Sequence, residues 1–198
     1  MTIDAKNGPA LMTGAAAETT RVIGHVQSAQ LHQPTPCTDW DLRTLLNHTI
    51  LWTAYSAEQR AYGQSVAEDL MNKDFAADPG FAKDYQVQAA RAVKAWSDPQ
   101  AWAGDRGVMG NDTPAQDIAA MLIAEMVLHS WDIAEATGQE YHCSKELAEA
   151  VLETVEANAE MFRQYQGFGA IVPVPDDADA FDRALSLSGR DPNWTQKN

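Results

Sequence analysis

The stretch IAAMLIAEMVLHSWDIAEATG, residues 118–138, decides the fold. Ile118, Met121, Leu122, Leu128 and Ile133 define the apolar stripe of an amphipathic α-helix. Thr113 reads as the N-cap with Pro114 at the first helical position, and Gly138 as the C-terminal stop. On a wheel of about 100° per residue, Glu125 and His129 fall close to the centre of the stripe and Asp132 lies near by. A carboxylate so placed is costly unless it is paired or bound to a metal. Residues four apart on a helix project in one direction, so a Glu oxygen and a His nitrogen could reach a single cation. The spacing also suits a buried Glu–His hydrogen bond with no metal.

Outward from this helix, the rest of the chain divides into further helices. Toward the N-terminus, helical spacing predicts one helix over about Leu11–Leu31. A second covers about Asp39–Tyr62, with Thr38 as N-cap paired with Asp41 and a buried side of Leu42, Leu45, Leu46, Thr49, Trp52 and Thr53. A third spans Phe81–Trp96, and SDPQAWAGDRGVMGND then reads as a long connection. Past Gly138, Ser144 caps a fifth helix lined by Leu147, Val151, Val155, Asn158, Met161, Phe162 and Tyr165. A short helix over Asp177–Leu187 and a polar tail follow. AIVPV (residues 170–174) is the one strand-like run, weakened by its proline. The expected fold is all-α: a four-helix bundle with short accessory helices and a C-terminal extension, forming a single domain over residues 1–198.

Composition narrows the function. A formal net charge of −14 argues against nucleic acid, which needs a basic face, and against anionic membranes. No stretch has the apolar length of a membrane span, and the N-terminus lacks the pattern of a secretory signal. Two cysteines, Cys37 and Cys143, form no close C-x-x-C pair, so free thiols and a cytoplasmic location are expected.

A metal at Glu125 and His129 would need a third ligand from a facing helix. His48, at the edge of its helix's apolar stripe, is the leading candidate and also reads as a partly exposed structural histidine. His25 is a similar candidate, whereas His32 and His142 lie at loop-like boundaries.

Four ordered motifs carry a resemblance: PTPCTDWDLRTLLNH, GDRGVMGNDTPA, AEMVLHSWDIAEATG and FGAIVPVPDDADAFDRALSLSGRDPNW. The chain resembles the DinB-like superfamily, in the branch related to the metal-binding N-terminal domain of mycothiol-dependent maleylpyruvate isomerase. The resemblance covers about Glu18 to Trp194. It implies a four-helix bundle holding a divalent metal, usually zinc, near one end. It places the first ligand histidine at His48 and the glutamate and second histidine at Glu125 and His129. Three protein ligands leave a position open for a low-molecular-weight thiol such as mycothiol, which the metal would keep as a thiolate. The implied activity is a thiol-dependent transferase or isomerase acting on an electrophilic substrate. The isomerase carries a second, C-terminal domain, for which this chain leaves no room, a departure that puts maleylpyruvate isomerisation itself in doubt.

Other residues keep two readings each. Asp132 could orient the His129 ring or form an interhelical salt bridge. Asn158 could serve the site or bond between helices. Cys37 could approach the site, and Trp40 and Trp52 could pack or wall a pocket. Arg43 and Arg106 could grip a carboxylate or form surface ion pairs. The alternatives to an enzyme are a non-catalytic metal-binding bundle acting as a sensor, and a structural homodimer using Phe181 and Leu185.

Overall fold

The computed structural model describes residues 2–108 and 111–196, with the side chains of residues 107–112 excepted. Met109, Gly110, Lys197 and Asn198, which belong to the expected connection and tail, lie outside the described residues.

Seven α-helices and one small hairpin make the architecture among the described residues. Helix α1 spans Gly8–Gly24. Helices α2 (Leu42–Ile50) and α3 (Ala57–Ala61) form one rod, joined by a π-helical turn at Leu51–Ser56. Helix α4 spans Phe81–Trp96 and α5 spans Ala115–Thr137. Helix α6 spans Lys145–Gln164 and α7 spans Ala180–Leu187. Helix α1 packs on α4 and α5, and the α2–α3 rod closes the bundle by packing on the same two helices. Helix α6 lies outside against α5, with α7 on α6. The all-α bundle with accessory helices is therefore the observed fold.

Helix α5 is the centre of this arrangement, and that corrects the stripe read from the sequence. Beyond Ile118, Leu122, Leu128 and Ile133, it also buries Ile123, Met126, Val127 and Trp131. A helix apolar almost all round is one enclosed by neighbours. Its least covered line runs through Met121 and Glu125, so Glu125 sits on the open side of α5 rather than at the centre of a buried stripe.

Several boundaries differ from expectation for local reasons. Helix α1 starts earlier, at Gly8, where a Cβ would stand 2.0 Å from the Trp102 ring, and it stops at Gly24 instead of Leu31. The N-cap of α2 is Asp41, not Thr38: its carboxylate accepts from the Thr44 amide at 2.9 Å and the Thr44 hydroxyl at 2.7 Å. Thr113 and Pro114 belong to a strand, and Pro114 rather than Thr113 takes the N-cap position of α5, with no side-chain cap hydrogen bond. Strands β1 (Asp105–Val108) and β2 (Asn111–Pro114) pair antiparallel, with Arg106 opposite Thr113.

The AIVPV run is no strand. It docks on the end of α7, with the Val172 amide donating to the Ser186 carbonyl at 3.2 Å. Helix α7 begins at Ala180 rather than Asp177, capped by Asp179. Ser144 and Gly138 cap as expected, Gly138 at φ 68°. On α6 the expected face holds at Leu147, Val151 and Val155 but leaves the bundle at Met161 and at Tyr165, which is 80% exposed. Phe181 stacks on Tyr141 and Leu185 is buried, so the two residues considered for a dimer pack inside their own chain.

Candidate metal centre

Helices α2 and α5 face each other and bring His48, Glu125 and His129 together. The Nε2 atom of His48 lies 3.2 Å from Glu125 Oε2, and Nε2 of His129 lies 3.3 Å from the same oxygen. One ligand atom from each residue lies within 4.8 Å of the other two. Ligands at zinc-like bond lengths around a tetrahedral ion stand about 3.3 Å apart. The separations of the two Nε2 atoms from Glu125 Oε2 match that edge, and imidazole and carboxylate suit zinc and other first-row ions. The donor set therefore fits a divalent metal.

Behind the candidate ligands sits a buried ionic cluster. His129 Nδ1 is 3.0 Å from Asp132 Oδ2, which directs an Nδ1–H to the carboxylate and turns Nε2 toward Glu125. Asp132 is fully buried and receives both Nε (2.9 Å) and Nη2 (2.8 Å) of Arg190. Bidentate pairing of this kind is the strong form of an ion pair. Asp132 orients the His129 ring, and its salt bridge is buried and runs to the non-helical Arg190 rather than between helices or at the surface.

Arg190 itself lies in the segment that reads as a polar tail, where no spacing rule marks it. Its seat depends on Gly189, which adopts φ 84° and crosses Gly169. A Cβ on Gly189 would meet the Gly169 backbone at 2.5 Å. The arginine within the SGRDPNW motif was the available signal.

These contacts set the charge states. Burial pushes the His129 imidazole down, but the Glu125 and Asp132 carboxylates outweigh it and raise its pKa to about 9. Burial raises the Glu125 carboxyl, and His129 and His48 overcome it, holding it well below the ordinary carboxylate range. Burial likewise raises Asp132, and Arg190 overcomes it. Without an ion, the site is an imidazolium clasped by two carboxylates.

Aromatic rings wall the cluster. Trp40 stands 4.6 Å from the His48 ring and 5.9 Å from the His129 ring, and Trp52 stands 6.3 Å from His48. Cys37 is half-buried, and burial, aided by the Asp132 charge, pushes its thiol up to about 11. It therefore stays a neutral thiol, a poor nucleophile at neutral pH.

The remaining candidates lie elsewhere or act locally. His25 bonds the Arg21 carbonyl and is exposed. His32 and His142 are exposed, near Asp41 and Glu140. Asn158 bonds the Thr154 carbonyl of its own helix, so it neither serves the site nor bridges helices. Arg43 pairs with Asp74, and Arg106 donates to the Gln100 and Ala101 carbonyls.

Fold and site together define a helical bundle with an imidazole–carboxylate cluster between two of its helices. The chain belongs to the mycothiol maleylpyruvate isomerase N-terminal domain family, whose model matches residues 12–134. Two uncharacterized proteins of Mycobacterium tuberculosis, from strains CDC 1551 / Oshkosh and ATCC 25618 / H37Rv, are each 25% identical over 173 residues. Each match covers 85% of this chain and 90% of the relative. Among solved structures, a mycothiol-dependent maleylpyruvate isomerase aligns with a TM-score of 0.69 at 15% identity, covering 96% of this chain and 91% of that one. A histidine-to-alanine mutant of a mycothiol-dependent maleylpyruvate isomerase aligns at 0.62 and 17%, covering 85% and 74%. At these identities the likeness establishes the shared fold.

Proposed function

We propose that the protein is a divalent-metal-dependent enzyme that uses a low-molecular-weight thiol, mycothiol being the family's own, in a transfer or isomerisation reaction. The observation that carries this reading is the convergence of His48, Glu125 and His129 at separations that match a metal coordination edge. Zinc or another first-row divalent ion bound there supplies a positive centre that keeps a thiol deprotonated at neutral pH.

The chain's own residues prepare that centre. His48 and His129 present Nε2, and Glu125 presents Oε2. Asp132 holds the Nδ1 proton of His129 and so fixes the tautomer whose Nε2 is free to ligate. Arg190 keeps Asp132 ionised and in place. Three protein ligands leave an open position, the arrangement of catalytic rather than structural zinc sites. Trp40 and Trp52 flank the His48 ring and would limit water around a sulfur held at the ion. The sulfur would add to an electrophilic carbon. Elimination after bond rotation gives isomerisation, and retention of the adduct gives transfer.

The test is calorimetric titration of mycothiol, bacillithiol and glutathione into zinc-loaded protein, metal-stripped protein and the His129→Ala variant. Saturable binding of at least one thiol to the zinc-loaded protein alone is expected. Equal binding by all three preparations, or binding by none, contradicts the reading.

A further inference from the structure

Among the described residues, Arg60 stands near the centre with no carboxylate at ion-pair distance. Arg190 is matched by Asp132, Arg43 by Asp74 and Arg21 by Glu18. Arg60 forms no ion pair among the described residues, although it is only half-exposed in a strongly acidic chain.

Its position is held rather than loose. Nε donates to the hydroxyl of Ser56 at 2.9 Å, and Ser56 is itself buried. The guanidinium lies over the Trp52 ring, 5.5 Å from its centroid. Helical side chains lean toward the helix N-terminus, so Arg60 reaches back along the α2–α3 rod toward His48. The π-helical turn at Leu51–Ser56 carries both Trp52 and Ser56, the two residues that seat it. Such turns recur at functional sites.

The steps are short: 6.3 Å from the His48 ring to Trp52, then 5.5 Å from Trp52 to the guanidinium. A small molecule anchored at the ligand cluster can extend along the indole to the arginine. With Nε committed to Ser56, the two terminal nitrogens are left to grip a carboxylate end-on. Burial weighs against the cation, and the field of Glu125 favours it. An arriving anion would relieve that cost.

We infer that Trp52 and Arg60 form a subsite for a carboxylate of the small molecule that reaches the metal centre, with Ser56 fixing the guanidinium. This deepens the proposed function and rests on it: the reactants of this site would include a carboxylate-bearing molecule.

A molecular ruler tests it. Linear mercaptoalkanoates from mercaptopropionate to mercaptoundecanoate, and the matching mercaptoalkanols, are titrated into the cobalt-loaded protein and its Arg60→Gln and Arg60→Lys variants. The sulfur-to-cobalt absorption band reports binding at the ion. A carboxylate advantage of roughly ten- to hundredfold is expected at one intermediate chain length. Arg60→Gln should abolish it, Arg60→Lys should keep part of it, and mercaptoalkanol affinity should stay unchanged in both. No advantage at any length, or an advantage that survives Arg60→Gln, overturns the subsite. If no thiol gives the band, the thiol reading falls separately. Calorimetry with glutarate on the same proteins then decides the subsite: binding that Arg60→Gln removes upholds it, and binding that is absent or unchanged overturns it. Helical circular dichroism of each variant verifies folding.

Discussion

Raising the pH from 7 to 9 should tighten metal binding and weaken the metal-free fold at the same time. Both effects come from one proton. In the metal-free protein, His129 holds a proton between Glu125 and Asp132, with its pKa raised to about 9 against an ordinary value of 6.5. A metal needs His129 Nε2 bare, so binding must expel that proton. Affinity should therefore climb by nearly a decade per pH unit, about fiftyfold in all between pH 7 and 9, and flatten above. The fold responds with the opposite sign. A group whose folded pKa is raised contributes stability that is complete below its unfolded pKa and lost as pH rises through the folded one. His129 is 9% exposed, so little solvent screening applies. Its shift corresponds to roughly 3 kcal/mol below pH 6.5, of which about 2 kcal/mol disappears between pH 7 and 9. The depressed Glu125 carboxyl is the other face of the same contact and adds nothing further. Competition with a chromophoric chelator across the range gives the affinity, and urea melts of stripped protein give the stability. Affinity that is flat from pH 7 to 9, or a stripped protein that gains stability there, would refute the reasoning.

Further outcomes concern the ionic cluster behind the candidate ligands and the glycines of positive φ. Arg190→Met leaves the fully buried Asp132 without its bidentate partner and should cost about 3–5 kcal/mol, a fall in Tm on the order of 10 °C for a domain of this size. Adding Asp132→Asn removes the stranded charge, so the double variant should melt above Arg190→Met alone, as scanning calorimetry would reveal. Gly189→Ala combines φ 84° with a Cβ 2.5 Å from the Gly169 backbone and should cost at least ~2 kcal/mol. Gly104→Ala, at φ 71° with open space around it, should cost about 1 kcal/mol. Denaturant midpoints of the pair compare the two.

How much of this was legible depended on whether the relevant contacts are local. Glu125 and His129 stand one helical turn apart, so spacing alone put them together, and Asp132 followed by the same rule. His48 lies on another helix, and wheel position favoured a partly exposed structural histidine; the L-x-x-L-L-x-H resemblance singled it out. Arg190 reaches Asp132 from 58 residues away through a crossing of two glycine backbones. No periodicity encodes such a crossing. The π-helical turn is hidden similarly, because LWTAYS contains neither Pro nor Gly. There the Thr53 hydroxyl bonds the Thr49 carbonyl at 2.6 Å and meets Tyr85 of α4 at 3.0 Å, a side-chain competition that widens helices. The hairpin lacks alternating apolar residues at its described positions, so it read as a loop. On α5, the wheel misjudged the facing of Glu125 because every side but one is covered by a neighbour.

The most direct measurement is the electronic spectrum and metal content of the cobalt-loaded protein beside His48→Ala, Glu125→Ala and His129→Ala. One ion per chain is expected, with the intense visible bands of a low-coordinate site that shift when a thiol is added. Each substitution should lose most of the ion while retaining helix content. Stoichiometric cobalt in all three variants, or a wild-type spectrum of fully hydrated cobalt, would contradict a shared ion between α2 and α5.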